Sequence, residues 1–202
     1  MRARQQELAT GKRKSGDARS FVFPGGDFMG AVRRELSSRE LSERLKVIAE
    51  TYSEALKEGF ADRLISVALF GSLARGEATP SSDIDLLVIM EELPRGRFAR
   101  RRLLQVADQS IEAELAALHE EGIVADLCVI LQTPEEAKTV RPLYLDLVED
   151  AILLFDRDGF LAGALEQLKH SLRRKGARRL RLGKVRYWDL KPDLVPGEIF
   201  EI

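Results

Sequence analysis

The 202-residue chain has one cysteine, Cys128, so no disulfide can form within it. Cys128 lies in an apolar run and reads as a core residue. Histidine is almost as scarce. His119 and His170 stand alone, with no second His, Cys or carboxylate at metal-site spacing beside either, and both read as helix-surface residues rather than ligands. No apolar run approaches the length of a membrane span, and the N-terminus carries no apolar signal segment. A cytoplasmic location with no membrane contact is the default expectation. The net charge of −1 removes any global field that would draw the chain to nucleic acid or membrane. No internal repeat is present.

What is there suffices for a core. The apolar fraction is 45%, ordinary for a globular protein, and the length suits one domain with appendages. We divide it into a flexible basic arm at 1–30, a central domain at 31–156 and a helical, basic C-terminal extension at 157–202 packing on that domain. Charge is uneven: residues 173–186 hold eight Lys or Arg and no acid. Followed by Tyr187 and Trp188, this stretch reads as a solvated helix end and linker, with an RNA- or partner-binding arm as the alternative, because arginines beside aromatics can meet phosphates and stack on bases.

Within the central domain, Ser37 and Glu40 form a capping box before a helix whose stripe is Leu41, Leu45, Ile48, Tyr52 and Ala55, with Gly59 as its terminal glycine. Residues 64–70 read as a strand broken by Gly71-Ser72, and residues 83–89 as a second, doubly covered strand. One long helix is expected over 97–121, ended by Gly122, with Leu104, Ala107, Ile111, Leu115 and Leu118 on one stripe. A third strand follows at 123–131. Thr133, Pro134 and Glu136 start a short helix, and Pro142 starts another. Residues 151–155 are either a fourth strand or more helix. Residues 156–159 form a turn, and Leu161, Leu165, Leu168 and Leu172 mark a last helix stopped by Gly176. Alternating strands and helices give an α/β (α+β) domain around a small sheet.

The chemistry concentrates in residues 67–89. Asp83 and Asp85 are spaced i, i+2 on a strand, so both carboxylates point the same way while Ile84 points to the core. Two adjacent carboxylates repel, and a fold gains nothing from that. A divalent cation removes the penalty, and Mg²⁺ is typically held by one or two carboxylates plus substrate phosphate oxygens. Asp126 is a third acid in an otherwise apolar run. At the end of the preceding strand, Gly71 lacks a Cβ and lets backbone N–H groups approach phosphate. Ser72 adds a hydroxyl, and Arg75 lies one turn on, within reach of a phosphate.

Gly71-Ser72, a ten-residue gap and Asp83-x-Asp85 resemble the signature of the DNA polymerase β-type nucleotidyltransferase superfamily. The wider stretches Phe70-Gly-Ser-Leu-Ala-Arg-Gly76 and Ser82-Asp-Ile-Asp-Leu-Leu-Val88 are similar to its minimal nucleotidyltransferase branch, which includes antitoxins paired with HEPN ribonuclease toxins. The resemblance implies a small mixed β-sheet flanked by helices. It implies two Mg²⁺ ions held by Asp83, Asp85 and Asp126, with Gly71, Ser72, Arg75 and Ser82 binding ATP or another NTP. The activity implied is transfer of a nucleoside monophosphate, in the first place AMP, to a hydroxyl of a partner protein such as a separate HEPN-type toxin. Transfer to a small molecule such as an aminoglycoside or to an RNA end, and a catalytically silent binding protein, stay open. So does assembly into a homo-oligomer. The chain departs from the branch at Leu73, where many members carry a polar or basic residue. Neither histidine follows an arginine at the gap typical of HEPN ribonucleases, so a toxin of that type is expected as a separate chain.

Overall fold

The structure is a computed structural model, and it describes residues 36–195 except 184. The basic arm expected at 1–30 lies outside the described residues. Helix α1 (Ser38–Phe60) opens with the expected capping box: Ser37 N–H donates to Glu40 Oε2 at 2.9 Å and Glu40 N–H to Ser37 Oγ at 3.3 Å. Its stripe of Leu41, Leu45, Ile48, Tyr52 and Leu56 is buried. Burying each such side chain stabilises the fold by roughly 1.5–3 kcal/mol. Gly59 does not end this helix. Ala61 does, at φ +41°, and Arg157 donates to the carbonyls of Ala61 and Asp62, which holds this left-handed, non-glycine turn in place.

Strands β1 (Leu64–Phe70), β2 (Ile84–Met90), β3 (Leu127–Gln132) and β4 (Ile152–Asp156) form one mixed sheet in the order β3-β2-β1-β4. β1 pairs antiparallel with β2 and β4, and β2 pairs parallel with β3. Both central strands are covered on two faces. Val67, Leu69, Leu86 and Val88 join the core built with α1, whereas Ala68, Leu87 and Ile89 join a second core. That second core is supplied by α7 (Pro142–Asp150) and α8 (Phe160–Arg174). This is why β2 reads as a continuous apolar run rather than an alternating one. Residues 151–155 are therefore mostly strand, and Asp156 closes it: its carboxylate accepts from Ser66 Oγ at 2.6 Å and from the N–H groups of Leu161 and Ala162 at 2.9 and 3.0 Å, capping α8.

Two expectations change. The single helix over 97–121 is three: α3 (Arg97–Leu103), α4 (Gln105–Gln109) and α5 (Glu112–Glu120). Leu104, Ala107, Ile111 and Leu118 are still buried, so the apolar stripe was real while the axis was not continuous. Ser110 Oγ donates to the Ala107 carbonyl at 2.7 Å, a local bond that competes with the helical ladder. Asp108 is tied to the Tyr52 hydroxyl at 3.1 Å and to Arg101, fixing the middle segment against α1. The second change is at the C-terminus. The basic stretch is a hairpin of β5 (Arg178–Leu182) and β6 (Val185–Asp189), so the extension is a helix followed by a hairpin. Gly183, at φ +62°, makes its turn. The short helix after Thr133 is α6 (Pro134–Ala137), with its capping box formed. Among the described residues no helix is long and apolar enough to cross a membrane.

Candidate active site

The site is built where β1 ends and β2 begins. Asp85 is the second residue of β2, and its register partners are Phe70 on β1 and Cys128 on β3. Asp83 immediately precedes the strand rather than lying in it, two residues from Asp85. Asp126 likewise stands one residue before β3, and its carbonyl accepts the Ile84 N–H at 2.8 Å. Carrying the β2–β3 register back from Asp85 and Cys128 by two residues sets Asp126 level with Asp83, at the same end of the sheet as Asp85. Asp83 and Asp126 are exposed, and Asp85 is half-buried. Among the described residues, however, no group of three His, Cys, Asp or Glu side chains is gathered closely enough to hold a metal ion. The structure brings Asp83 and Asp85 together and leaves Asp126 beside them on the neighbouring strand.

Burial, and then the charge of Asp83, push the Asp85 carboxyl above the usual carboxylate range. The Cys128 thiol donates to Asp85, and Arg75 acts on it only through its charge. Cys128 is thus not the core residue that its apolar run suggests. It is exposed on the acidic face, with its thiol pushed up by burial and by Asp85 and Asp83. Counting by twos from Asp126 would have placed it there.

Gly71 meets Asp85 from the other strand. It adopts φ +77°, and a Cβ there would fall closer to Asp85 Oδ2 than real Cβ atoms come, and within 3.2 Å of Asp85 Cγ. Only glycine lets this backbone lie against the carboxylate. Gly71 opens α2 (Gly71–Ala74), in which Ser72 is half-buried and Leu73 is buried at 3% exposure in the core with α1. The departure at Leu73 therefore has a packing cause: its side chain anchors the turn from below.

Arg75 and Ser82 are already engaged. Arg75 Nε donates to Glu77 at 3.0 Å and Nη1 to Asp150 at 3.4 Å. Ser82 Oγ accepts the Thr79 N–H at 2.9 Å and closes the loop before the acids. The carboxylates that hold Arg75 are held in turn by the hairpin. Arg186 clasps Glu77, with Nη1 at 3.0 Å, and Arg179 grips Asp150 at 2.8 and 2.5 Å. Arg186, and then Arg75, hold the Glu77 carboxyl down at about 2. Burial pushes Asp150 up, but Arg179 and Arg75 outweigh it and leave it below the usual range. Glu77 and Asp150 were not singled out from sequence, nor were the ion pairs that Arg179 and Arg186, within the basic stretch 173–186, make with them. Nothing local marks them, because each pair spans 29 to 109 residues.

The arrangement sets a Cβ-free turn against Asp85, beside a pair of carboxylates that no ion pair reaches among the described residues. The sequence model of the nucleotidyltransferase domain family matches residues 49–201. This chain belongs to that family. A nucleotidyltransferase is an enzyme whose co-substrate is a nucleoside triphosphate, and the mixed sheet flanked by helices is the fold of its family. Among relatives, the chain is 34% identical over 132 residues to MJ1305 of Methanocaldococcus jannaschii, named as a candidate protein adenylyltransferase; the match covers 64% of this chain and 84% of the relative. It is 44% identical over 52 residues to the protein adenylyltransferase MntA of Thermococcus cleftensis, covering 26% of this chain and 50% of that one. Similar solved structures include a toxin–antitoxin complex with AMP-PNP, at 20% identity, TM-score 0.39, and 63% and 92% coverage of this nucleotidyltransferase and of that chain.

Proposed function

We propose that this nucleotidyltransferase moves AMP from ATP to a hydroxyl of a partner protein, a HEPN-type toxin, with Mg²⁺. The observation that carries the reading is the placement of Gly71 against Asp85, which sets the turn suited to phosphate beside the carboxylate pair. The choice of a protein acceptor is supported by relatives named protein adenylyltransferases.

The donor set fits the metal. Asp83 and Asp85 are hard oxygen ligands, Asp85 carries a charge that its surroundings disfavour, and two carboxylates plus phosphate oxygens is the usual Mg²⁺ set. When bound, Mg²⁺ supplies neutralisation of the phosphate charge. The residues of the chain do the rest. Backbone N–H groups at Gly71 and the Ser72 hydroxyl hold the β- and γ-phosphates. Asp126, exposed beside Asp83, accepts the proton of the acceptor hydroxyl on a carboxylate oxygen. The acceptor oxygen then bonds to the α-phosphorus as the α–β bridging bond breaks and pyrophosphate leaves. Positioning supplies most of the rate.

The test uses ATP labelled at the α-phosphate, Mg²⁺ and a HEPN-type partner. Label is expected in the partner with wild type and, in Asp83→Asn and Asp85→Asn, a loss on the order of 10²–10³-fold. Asp85→Asn removes a disfavoured charge, so without metal its urea midpoint is expected to be no lower than that of wild type. Label transfer that survives both substitutions, or no transfer by wild type, rejects the reading.

A further inference from the structure

Helix α3 is the sequence Arg97-Phe-Ala-Arg-Arg-Arg-Leu103, preceded by Arg95 and Gly96. Its arginines divide into two sets. Arg100 turns inward: Nε donates to the Pro94 carbonyl at 3.0 Å, Nη1 to the Leu131 carbonyl at 3.2 Å, and the guanidinium binds both oxygens of Glu136 at 2.7 and 2.8 Å. That fixes α3 beside strand β3 and helix α6. Arg101 is paired with Asp108. Arg95, Arg97 and Arg102 are exposed and have no acidic partner among the described residues.

Between α3 and β3 lies a groove of about 480 Å³, floored by Leu104, Val129 and Leu131 and bordered by Phe98. Phe98 is 74% exposed, and the Arg97 guanidinium sits 5.2 Å from its ring centre. β3 is an edge strand: β2 is its only partner among the described residues. A large aromatic left in water beside an aliphatic groove, with the uncompensated Arg97 on its rim and Arg95 and Arg102 on the same segment, gains nothing for the isolated fold. It suits a ligand that is apolar in the middle and acidic around it.

We propose that this groove docks an acidic, apolar-anchored segment of the protein that accepts the nucleotide. This rests on the protein-acceptor reading above. An apolar side chain of that segment covers Phe98, Leu104, Val129 and Leu131, and its carboxylates meet Arg95, Arg97 and Arg102. The aliphatic floor favours a polypeptide over RNA, which would ask for stacking platforms and phosphate contacts without a deep apolar seat. The groove also stands on the right strand. Val129 is three residues beyond Asp126, about 10 Å at the ~3.3 Å rise of a strand, and its side chain lies on the face opposite that of Asp85 and Cys128. A segment seated there tethers its own protein at the edge strand of the sheet, from which the acceptor must reach around β3 to the carboxylates, and tethering raises the local concentration of its hydroxyl.

The test uses the full chain and three fluorescent probes: a short synthetic peptide with Glu flanking a Leu-Phe centre, the same peptide with Lys for Glu, and a short single-stranded RNA. The Glu peptide is expected to bind saturably, more weakly as salt rises, and about 10-fold more weakly to Arg97→Glu/Arg102→Glu and to Phe98→Ser. Affinity for a non-hydrolysable ATP analogue is expected to stay unchanged in both variants. With a HEPN-type acceptor the same variants should raise KM and leave kcat alone. No saturable binding of the Glu peptide, equal binding to wild type and variants, or RNA binding lost in the same variants overturns the proposal. Failure of the transfer reading is separate: wild type that transfers no label but loses the peptide on groove substitution leaves the docking site standing. Asp83→Asn is expected to bind the peptide as wild type does.

Discussion

Replacing Gly71 by alanine separates two costs that are often confounded. The backbone at Gly71 has φ +77°, where an L-residue is disfavoured by about 1–2 kcal/mol. Gly76, five residues on, has φ +70° and nothing within 4 Å of its would-be Cβ. Gly76→Ala therefore carries the conformational cost alone. Gly71→Ala carries the same cost and in addition drives a methyl group into the Asp85 carboxylate. The carboxylate sits at the end of a rotatable side chain, so it can swing aside at an off-rotamer cost of roughly 0.5–1.5 kcal/mol. Part of that cost is offset, because burial and Asp83 already disfavour the charge of Asp85 where it is. The two variants are thus expected to lie within about 1 kcal/mol of each other in urea unfolding. Their activities should diverge. Displacing Asp85 by about 1 Å costs on the order of 10²-fold in rate, since catalysis here rests on positioning. The assays are urea denaturation followed by circular dichroism, and label transfer from α-labelled ATP. Equal transfer by the two alanine variants would refute the argument that the glycine serves Asp85 rather than the turn.

Two more predictions concern the frame. Tyr144 Oη donates to Gln132 Oε1 at 2.6 Å, and both residues are 2% exposed, so Tyr144→Phe strands a buried acceptor and should lower unfolding free energy by about 1–3 kcal/mol. Glu136 is held at about 2, by Arg100 first and the Thr133 N–H second, and Glu77 at about 2 by Arg186 and Arg75. A depressed carboxyl adds stability that is fully present above its unfolded pKa of ~4.3 and is lost as pH falls towards the folded value. Stability should therefore decline between about pH 4 and pH 2, and Arg100→Gln, which releases Glu136, should flatten that decline in pH-dependent urea midpoints.

The legible parts of the chain are those encoded within a few residues. The capping boxes at Ser37 and Thr133, the stripe of α1, the strand ends at Gly71 and the acids at 83 and 85 are all set by short-range chemistry. The misread parts depend on contacts between distant segments. The stripe over 97–121 has helical period, but Ser110, and Asp108 bound to Tyr52, divide the helix. Gly59 looked like a terminus, but the turn formed at Ala61 because Arg157, from nearly a hundred residues away, binds its carbonyl. The hairpin was readable in principle, since Leu180, Leu182, Val185 and Tyr187 alternate with Arg179, Arg181, Arg186 and Trp188, yet the density of charge suggested a linker.

The sequence alone resembled the nucleotidyltransferases through Gly71-Ser72 and Asp83-x-Asp85, and the family match over residues 49–201 bears that out, because these short motifs are encoded within a few residues of one another. The tertiary structure decided what surrounds them. It left Asp126 at the head of the neighbouring strand, turned Cys128 onto the acidic face, and gave Arg75 to Glu77 and Asp150. It also brought Arg179 and Arg186 back from the hairpin, across 29 and 109 residues, to hold those carboxylates. Strand register and long-range ion pairs fix these outcomes, and neither leaves a periodic mark on the chain.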